Sequence, residues 1–126
     1  MPLVRIDLIK GKSDVYLRAI GDAVYTALLG FGAPVDDRFQ IITEHDAGKF
    51  VYAADYLGIE RSDALVVIQI TAVAGRSPDQ KRQLYKSLAD ELHNTINLRR
   101  EDVFVNIIEV AKENWSFGCG VAQYAT

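Results

Sequence analysis

A pattern of strand, helix and strand occurs twice in this sequence, and the repeat limits what the chain can fold into. In the first copy, Leu3 to Ile9 (LVRIDLI) alternates crudely between apolar and polar side chains, and Gly11 breaks the pattern. That is the period of a strand. Ser13 stands where a helix N-cap belongs. Val15, Ala19 with Ile20, Ala23 with Val24, and Ala27 with Leu28 then recur at helical spacing until Gly30, Gly32 and Pro34 stop the stripe. Phe39 to Glu44 (FQIITE) reads as a second strand. In the second copy, Leu65 to Val73 (LVVIQITAV) is β-branched and nearly all apolar, and Gly75 ends it. Ser77-Pro78-Asp79-Gln80 is a capping box with proline at the first helical position. Leu84, Leu88, Leu92 and Ile96 follow as an i, i+4 stripe with Tyr85 and Ala89 beside it, and Val103 to Glu109 (VFVNIIE) is the last strand. Ser13 and Ser77 lie 64 positions apart, as do Phe39 and Val103.

A helix between two strands of one sheet forces a crossover, so each unit carries parallel strands. Two such units join as a pseudo-twofold, four-stranded mixed sheet with both helices on one face, an α/β (α+β) fold. The expected division is units 2–46 and 64–110, a linker or hairpin at 47–63, and a C-terminal arm at 111–126. The aromatic stretch KFVYAADYLGI in the linker also suits an edge strand. With the units antiparallel, the strand starts of the first share an edge with the strand ends of the second. That edge gathers Pro2, Asp37-Arg38, Gly75-Arg76 and Trp115-Ser116-Phe117.

The 126 residues suit one domain with a real core. A net charge of −3, with both signs interspersed, offers no surface for nucleic acid. The longest apolar runs are too short to span a bilayer, and no apolar segment of the signal-peptide kind opens the chain. One cysteine, Cys119, supports neither an internal disulfide nor a cysteine zinc site, which makes a reduced cytoplasmic setting the expectation. Cys119 reads as a small packing residue. His45 and His93 are isolated in sequence, His93 on a solvated helix face. No metal constellation and no nucleotide loop is present, so cofactor-free chemistry is expected.

Pro2 is the residue with the sharpest chemistry. Proline tolerates the first position of a strand, so it has a purely structural explanation. If Met1 is removed, however, Pro2 carries a secondary amine. An α-amino group titrates near ~8 and falls when desolvated. Such an amine can act as a base near neutrality, polarise a carbonyl when protonated, or condense with one. Arg76, between a strand end and a capped helix, is either a solvated loop residue or a fork for a carboxylate. Asp37 in the turn PVDDRF is either turn chemistry or a second acid–base group. Asp36 is adjacent, and spacing does not choose between them. Arg38 reads as a salt-bridge partner. Trp115, Phe117 and Tyr124 either pack the arm on a neighbour or wall a pocket, with the tyrosine hydroxyl as a donor.

Across the whole chain, PLVRIDLI, PVDDRFQI, VAGRSPDQK and ENWSFGCGVAQY resemble the tautomerase superfamily, above all its malonate semialdehyde decarboxylase branch. The resemblance implies a homotrimer with active sites near subunit boundaries and a small oxo acid as substrate. It implies Pro2 as catalytic amine, Arg76 as carboxylate binder, Asp37 as water-activating or orienting group, and an aromatic wall. The activity it implies first is decarboxylation of malonate semialdehyde. The alternatives are keto–enol tautomerisation of 2-oxo acids such as phenylpyruvate, and acrylate hydration or dehalogenation. Some decarboxylases of this branch carry two arginines in the loop after the third strand, where this chain has Ala74 and Arg76. The turn before Asp37 is one residue shorter than in relatives. A chain that keeps Met1 would be a non-catalytic trimeric binder.

Overall fold

A computed structural model describes residues 2–125. Met1, on whose removal the proline chemistry depends, and Thr126, the last residue of the arm, lie outside them. The elements are β1 (Leu3–Ile9), α1 (Asp14–Gly30), β2 (Phe39–His45), β3 (Val66–Val73), α2 (Pro78–Ile96) and β4 (Val103–Val110). The sheet order is β2-β1-β3-β4. β1 runs parallel to β2 and β3 parallel to β4, while β1 and β3 pair antiparallel at the centre. This is the join expected from the repeat.

Local chemistry explains both helix starts. Ser13 Oγ accepts from the Tyr16 N–H at 3.1 Å. At Ser77 the full capping box forms, with Gln80 N–H donating to Ser77 Oγ at 3.1 Å and Ser77 N–H donating to Gln80 Oε1 at 2.8 Å. Gly11 and Gly75, 64 positions apart, both turn the chain from strand to helix at positive φ, 124° and 131°. Val4, Ile6 and Leu8 of β1 and Val66, Ile68, Ile70 and Ala72 of β3 are buried. Ile20, Ala23, Val24, Ala27 and Leu28 of α1 and Leu84, Leu88 and Leu92 of α2 pack on them. Each fully buried Ile or Leu contributes about 1.5–3 kcal/mol. Val15, expected in the α1 stripe, is instead 73% exposed. One turn of helix carries Tyr16, not Val15, onto the phase of Ile20. Among the described residues, no α-helix packs on the other sheet face. Phe39, Ile41, Phe104 and Ile108 are 40–53% exposed there.

Two further expectations change. The 47–63 segment is neither hairpin nor edge strand. It forms 3-10 turns at Ala47–Lys49 and Tyr56–Gly58. Its carbonyls are drawn inward instead of into a ladder, because Arg61 Nη1 donates to Ala53 O, Tyr56 O and Ile59 O at 3.1, 3.0 and 3.3 Å. Fully buried Asp102 then fixes the segment's end, accepting from Ser62 N–H at 2.7 Å and Ser62 Oγ at 2.6 Å. The repeat also shifts register. Leu3 pairs with Phe39, and its equivalent Val67 pairs with Phe104. The structural equivalent of Phe39 is therefore Phe104, one residue beyond Val103. The second unit has one more residue between helix cap and strand than the first.

Candidate active site

The antiparallel centre places the start of β1 beside the end of β3, with Leu3 opposite Thr71. Leu3 also pairs with Phe39, two residues after Asp37, while Val73 pairs with Val110. Pro2, Asp37, Arg76 and the arm from Trp115 consequently leave the sheet at one edge. Pro2 is buried. It lines a cavity of about 190 Å³ with Leu3, Phe39, Trp115, Ser116 and Phe117. Leu3 and Phe39 were not expected in the site, and Ser116 was expected only at its edge. The odd-numbered phase of β1 was the signal for Leu3, since that phase faces away from the helices.

The aromatic arm is a braced unit. Trp115 and Phe117 stack at 5.3 Å with 6° between their planes, and Tyr124 meets Phe117 edge-on at 4.8 Å. Gln123 holds the turn between them, accepting from Phe117 N–H at 2.9 Å and donating to Gly118 O at 3.0 Å. Tyr124 thus reaches the cavity only through Phe117. The Trp115 Nε1–H is buried and meets no acceptor among the described residues. Cys119, expected to pack, is exposed at φ 61° between two glycines, because the turn leaves its side chain outside.

Arg76 stands at the same edge but does not line this cavity. Its Nη1 donates to Val73 O at 3.0 Å, its Nε to Phe31 O at 3.3 Å, and its guanidinium lies over the Phe31 ring at 4.7 Å. Beside it, Lys81 pairs with Glu109 at 2.5 Å. The Lys81 ammonium holds the Glu109 carboxyl below its ordinary range, helped by the Gly75 N–H and the Arg76 charge. The guanidinium is fixed by carbonyls and an aromatic face, with its Nη2 within 3.7 Å of where a side chain on Gly32 would begin.

The two neighbouring aspartates take different places. Asp36 is exposed at φ 67°, and its N–H donates to Tyr25 OH at 3.0 Å. Asp37 is half-buried, its N–H bonded to Pro34 O at 3.2 Å. Arg38 pairs with Asp22 at 2.8 Å, as expected of a structural residue. His45 is not isolated, its Nε2 lying 2.6 Å from Asp7 Oδ1. His93 Nδ1 lies 3.2 Å from Leu98 O. Among the described residues, no group of three or more His, Cys, Asp or Glu is placed to hold a metal ion. No helix among them is long and apolar enough to cross a membrane.

Residues 37–118 match a family model described as "Tautomerase enzyme", and residues 2–60 match a second model with the same description. The chain belongs to the tautomerase family. This tautomerase-family chain is 37% identical over 124 residues to the probable tautomerase YusQ of Bacillus subtilis (strain 168), covering 98% of each. Among solved structures, the FG41 malonate semialdehyde decarboxylase inhibited by 3-bromopropiolate is similar at TM-score 0.91 and 40% identity, over 97% of this chain and 93% of that one. A second malonate semialdehyde decarboxylase, described for decarboxylase and hydratase activities, matches at TM-score 0.91 and 33% identity, over 97% and 95%. The four-stranded sheet with its two helices is thus the tautomerase fold. The family is one of enzymes.

Proposed function

We propose that this chain is a cofactor-free enzyme in which Pro2, exposed as an amine by removal of Met1, acts on a small oxo acid, foremost malonate semialdehyde. The observation that carries the reading is the buried Pro2 at the wall of a cavity of about 190 Å³ shared with Trp115 and Phe117. A wall of rings excludes water, which strengthens every polar interaction inside it. Arg76 offers the substrate carboxylate its Nη2 from the same edge, while Nε and Nη1 donate to Phe31 O and Val73 O. The Trp115 Nε1–H finds in a substrate oxygen the acceptor that the described residues do not give it.

In the decarboxylation, Pro2 either polarises the aldehyde oxygen as a cation or, as the neutral amine, condenses with the carbonyl carbon and expels water to give an iminium. The bond between the carboxylate carbon and C2 breaks, carbon dioxide leaves, and the electron pair passes to the carbonyl or iminium. Protonation at C2, and hydrolysis where an iminium formed, release acetaldehyde. Asp37 orients or activates the water. The apolar wall and the single loop arginine also suit a second reading, in which neutral Pro2 moves the proton between keto and enol forms of a 2-oxo acid such as phenylpyruvate. Acrylate hydration or dehalogenation stands behind these. A chain that retained Met1 would hold Pro2 as an amide and only bind. The uncovered sheet face, with Phe39, Ile41, Phe104 and Ile108 exposed, supports assembly as a homotrimer.

Intact-mass measurement on protein from its native source establishes whether Met1 is removed. Processed protein and its Pro2→Ala variant are then followed by proton NMR on malonate semialdehyde and phenylpyruvate. A loss of about 10²–10⁴-fold in the variant is expected for removal of the acid–base group. Equal rates in both proteins overturn the proposal.

A further inference from the structure

The pseudo-twofold that relates the two units carries the cavity at Pro2 onto a second one at the opposite edge of the sheet. Arg5 pairs with Gln69, its own equivalent at a spacing of 64, so the dyad passes through that pair. It takes Leu3 to Val67 and Phe39 to Phe104. Beyond the outer strands the correspondence continues. The 3-10 turn Ala47–Lys49 after β2 matches the turn Lys112–Asn114 after β4, and the residues that follow are Phe50-Val51-Tyr52 and Trp115-Ser116-Phe117. In both places the aromatic residues two apart meet, Phe50 with Tyr52 at 6.3 Å and Trp115 with Phe117 at 5.3 Å. Val51, Tyr52, Val67 and Phe104 line a cavity of about 360 Å³, larger than the one at Pro2.

The two cavities differ in what the chain supplies before the strand. β3 is preceded by the 47–63 segment, which brings Arg61 and Tyr56 into the second cavity. Arg61 is half-buried, and its Nη1 is held by the three carbonyls of Ala53, Tyr56 and Ile59. It forms no ion pair with a carboxylate among the described residues. Asp63, two residues on, instead accepts from Tyr52 OH at 2.7 Å. The counterpart of Pro2 is Val66, a fully buried mid-chain residue with no amine.

We propose that this second cavity binds a small apolar or aromatic monocarboxylate without turning it over. The Arg61 fork, already positioned by carbonyls, takes the carboxylate, and Tyr52, Tyr56 and Phe104 take the apolar body. The site rests on the dyad and on Arg61, and does not depend on the reaction proposed at Pro2.

The test is a titration of the full-length, processed protein with 4-fluorophenylacetate, followed by backbone amide NMR. Saturable shifts at residues 51–53, Arg61 and Phe104 are expected. Val67→Trp, which fills the cavity, removes those shifts and leaves any response at Leu3 and Ser116. Arg61→Met weakens binding there by about tenfold, the loss of one charge-assisted pair. Pro2→Ala leaves the second response as it was, so failure of the catalytic reading and failure of this one are separable. Absence of saturable shifts at residues 51–53 and Phe104 in the wild-type protein overturns the proposal, whether the cavity is empty or covered by a neighbouring copy. Shifts that persist unchanged in Val67→Trp overturn it as well.

Discussion

The two edges of this sheet are built from equivalent parts, yet one opens its strand with a proline and the other ties its aspartate to the segment before the strand. At the first edge a strand begins with Pro2, and Asp37 stands two residues before Phe39 in a half-buried turn. At the second, Asp102 stands two residues before Phe104 and is fully buried, clamped by Ser62 N–H and Oγ. Arg99 adds a contact from 3.4 Å. The difference lies in what precedes the strand. A chain that continues upstream of β3 supplies donors that consume the aspartate, and Ser62 is that supply. At the first edge the equivalent aspartate lies in the turn that leads into β2, its N–H bonded to Pro34 O at 3.2 Å.

The comparison breaks first at the equivalent pair Pro2 and Val66. Pro2→Ala should cut kcat/KM by about 10²–10⁴-fold with little change in the denaturation midpoint. Val66→Ala should cost about 2 kcal/mol of stability in urea titrations and leave the rate per folded molecule alone. The aspartates should separate next. Asp102→Ala strands two buried donors and should lower stability by about 3 kcal/mol, whereas Asp37→Ala should appear mainly in steady-state rates. If Asp37→Ala proved the more destabilising, the division between working and anchoring edges would fail. Arg76→Ala should raise KM for an oxo acid by about 10- to 100-fold, the worth of a charged hydrogen-bonded pair. Its equivalent Lys12, which lies over the Tyr16 ring at 5.0 Å, should be neutral when replaced by alanine.

Smaller effects sharpen the same contrast. Ser77→Ala should cost about 1 kcal/mol or somewhat more in thermal unfolding, and Ser13→Ala less, because only Ser77 closes a reciprocal box. The least effect concerns pH. Lys81 holds Glu109 below its ordinary range, and hydrogen bonds from Lys86 and Arg100 do the same for Asp90. A carboxyl whose folded pKa lies below its unfolded one stabilises fully above the ordinary carboxylate range and loses that contribution as pH falls through the folded value. Denaturation midpoints should therefore decline on acidification below about pH 4. Glu109→Gln should flatten that decline slightly, more visibly at low salt than high.

Much of this was legible in the residues. Strand periodicity, the capping serines and the 64-residue spacing gave the elements and the antiparallel join, because side-chain period and cap chemistry are local properties. The convergence of Pro2, Asp37, Arg76 and Trp115 on one edge followed from topology alone. What local reasoning could not see was register and side-chain destination. One extra residue ahead of β4 moves the partner of Val67 from Val103 to Phe104, and no periodicity reports a one-residue slip between units. Arg76 was expected in the pocket with Pro2, but its guanidinium is tied to Val73 O and Phe31 O beside it. The 47–63 segment looked like strand because its aromatics are strand-formers. It became a compact loop because Arg61 gathered three of its carbonyls.

The sequence by itself determined that two crossover units would meet and that a proline would begin one of them. These outcomes follow from hydrophobic period, caps and the right-handed crossover, which need only near neighbours. Tertiary structure alone decided which faces the two cavities share, that Asp102 is buried and bound by Ser62, and that Arg61 comes to line the second cavity. Those outcomes depend on contacts between residues 40 or so positions apart, such as Ser62 with Asp102, where position along the chain carries no information about distance in space.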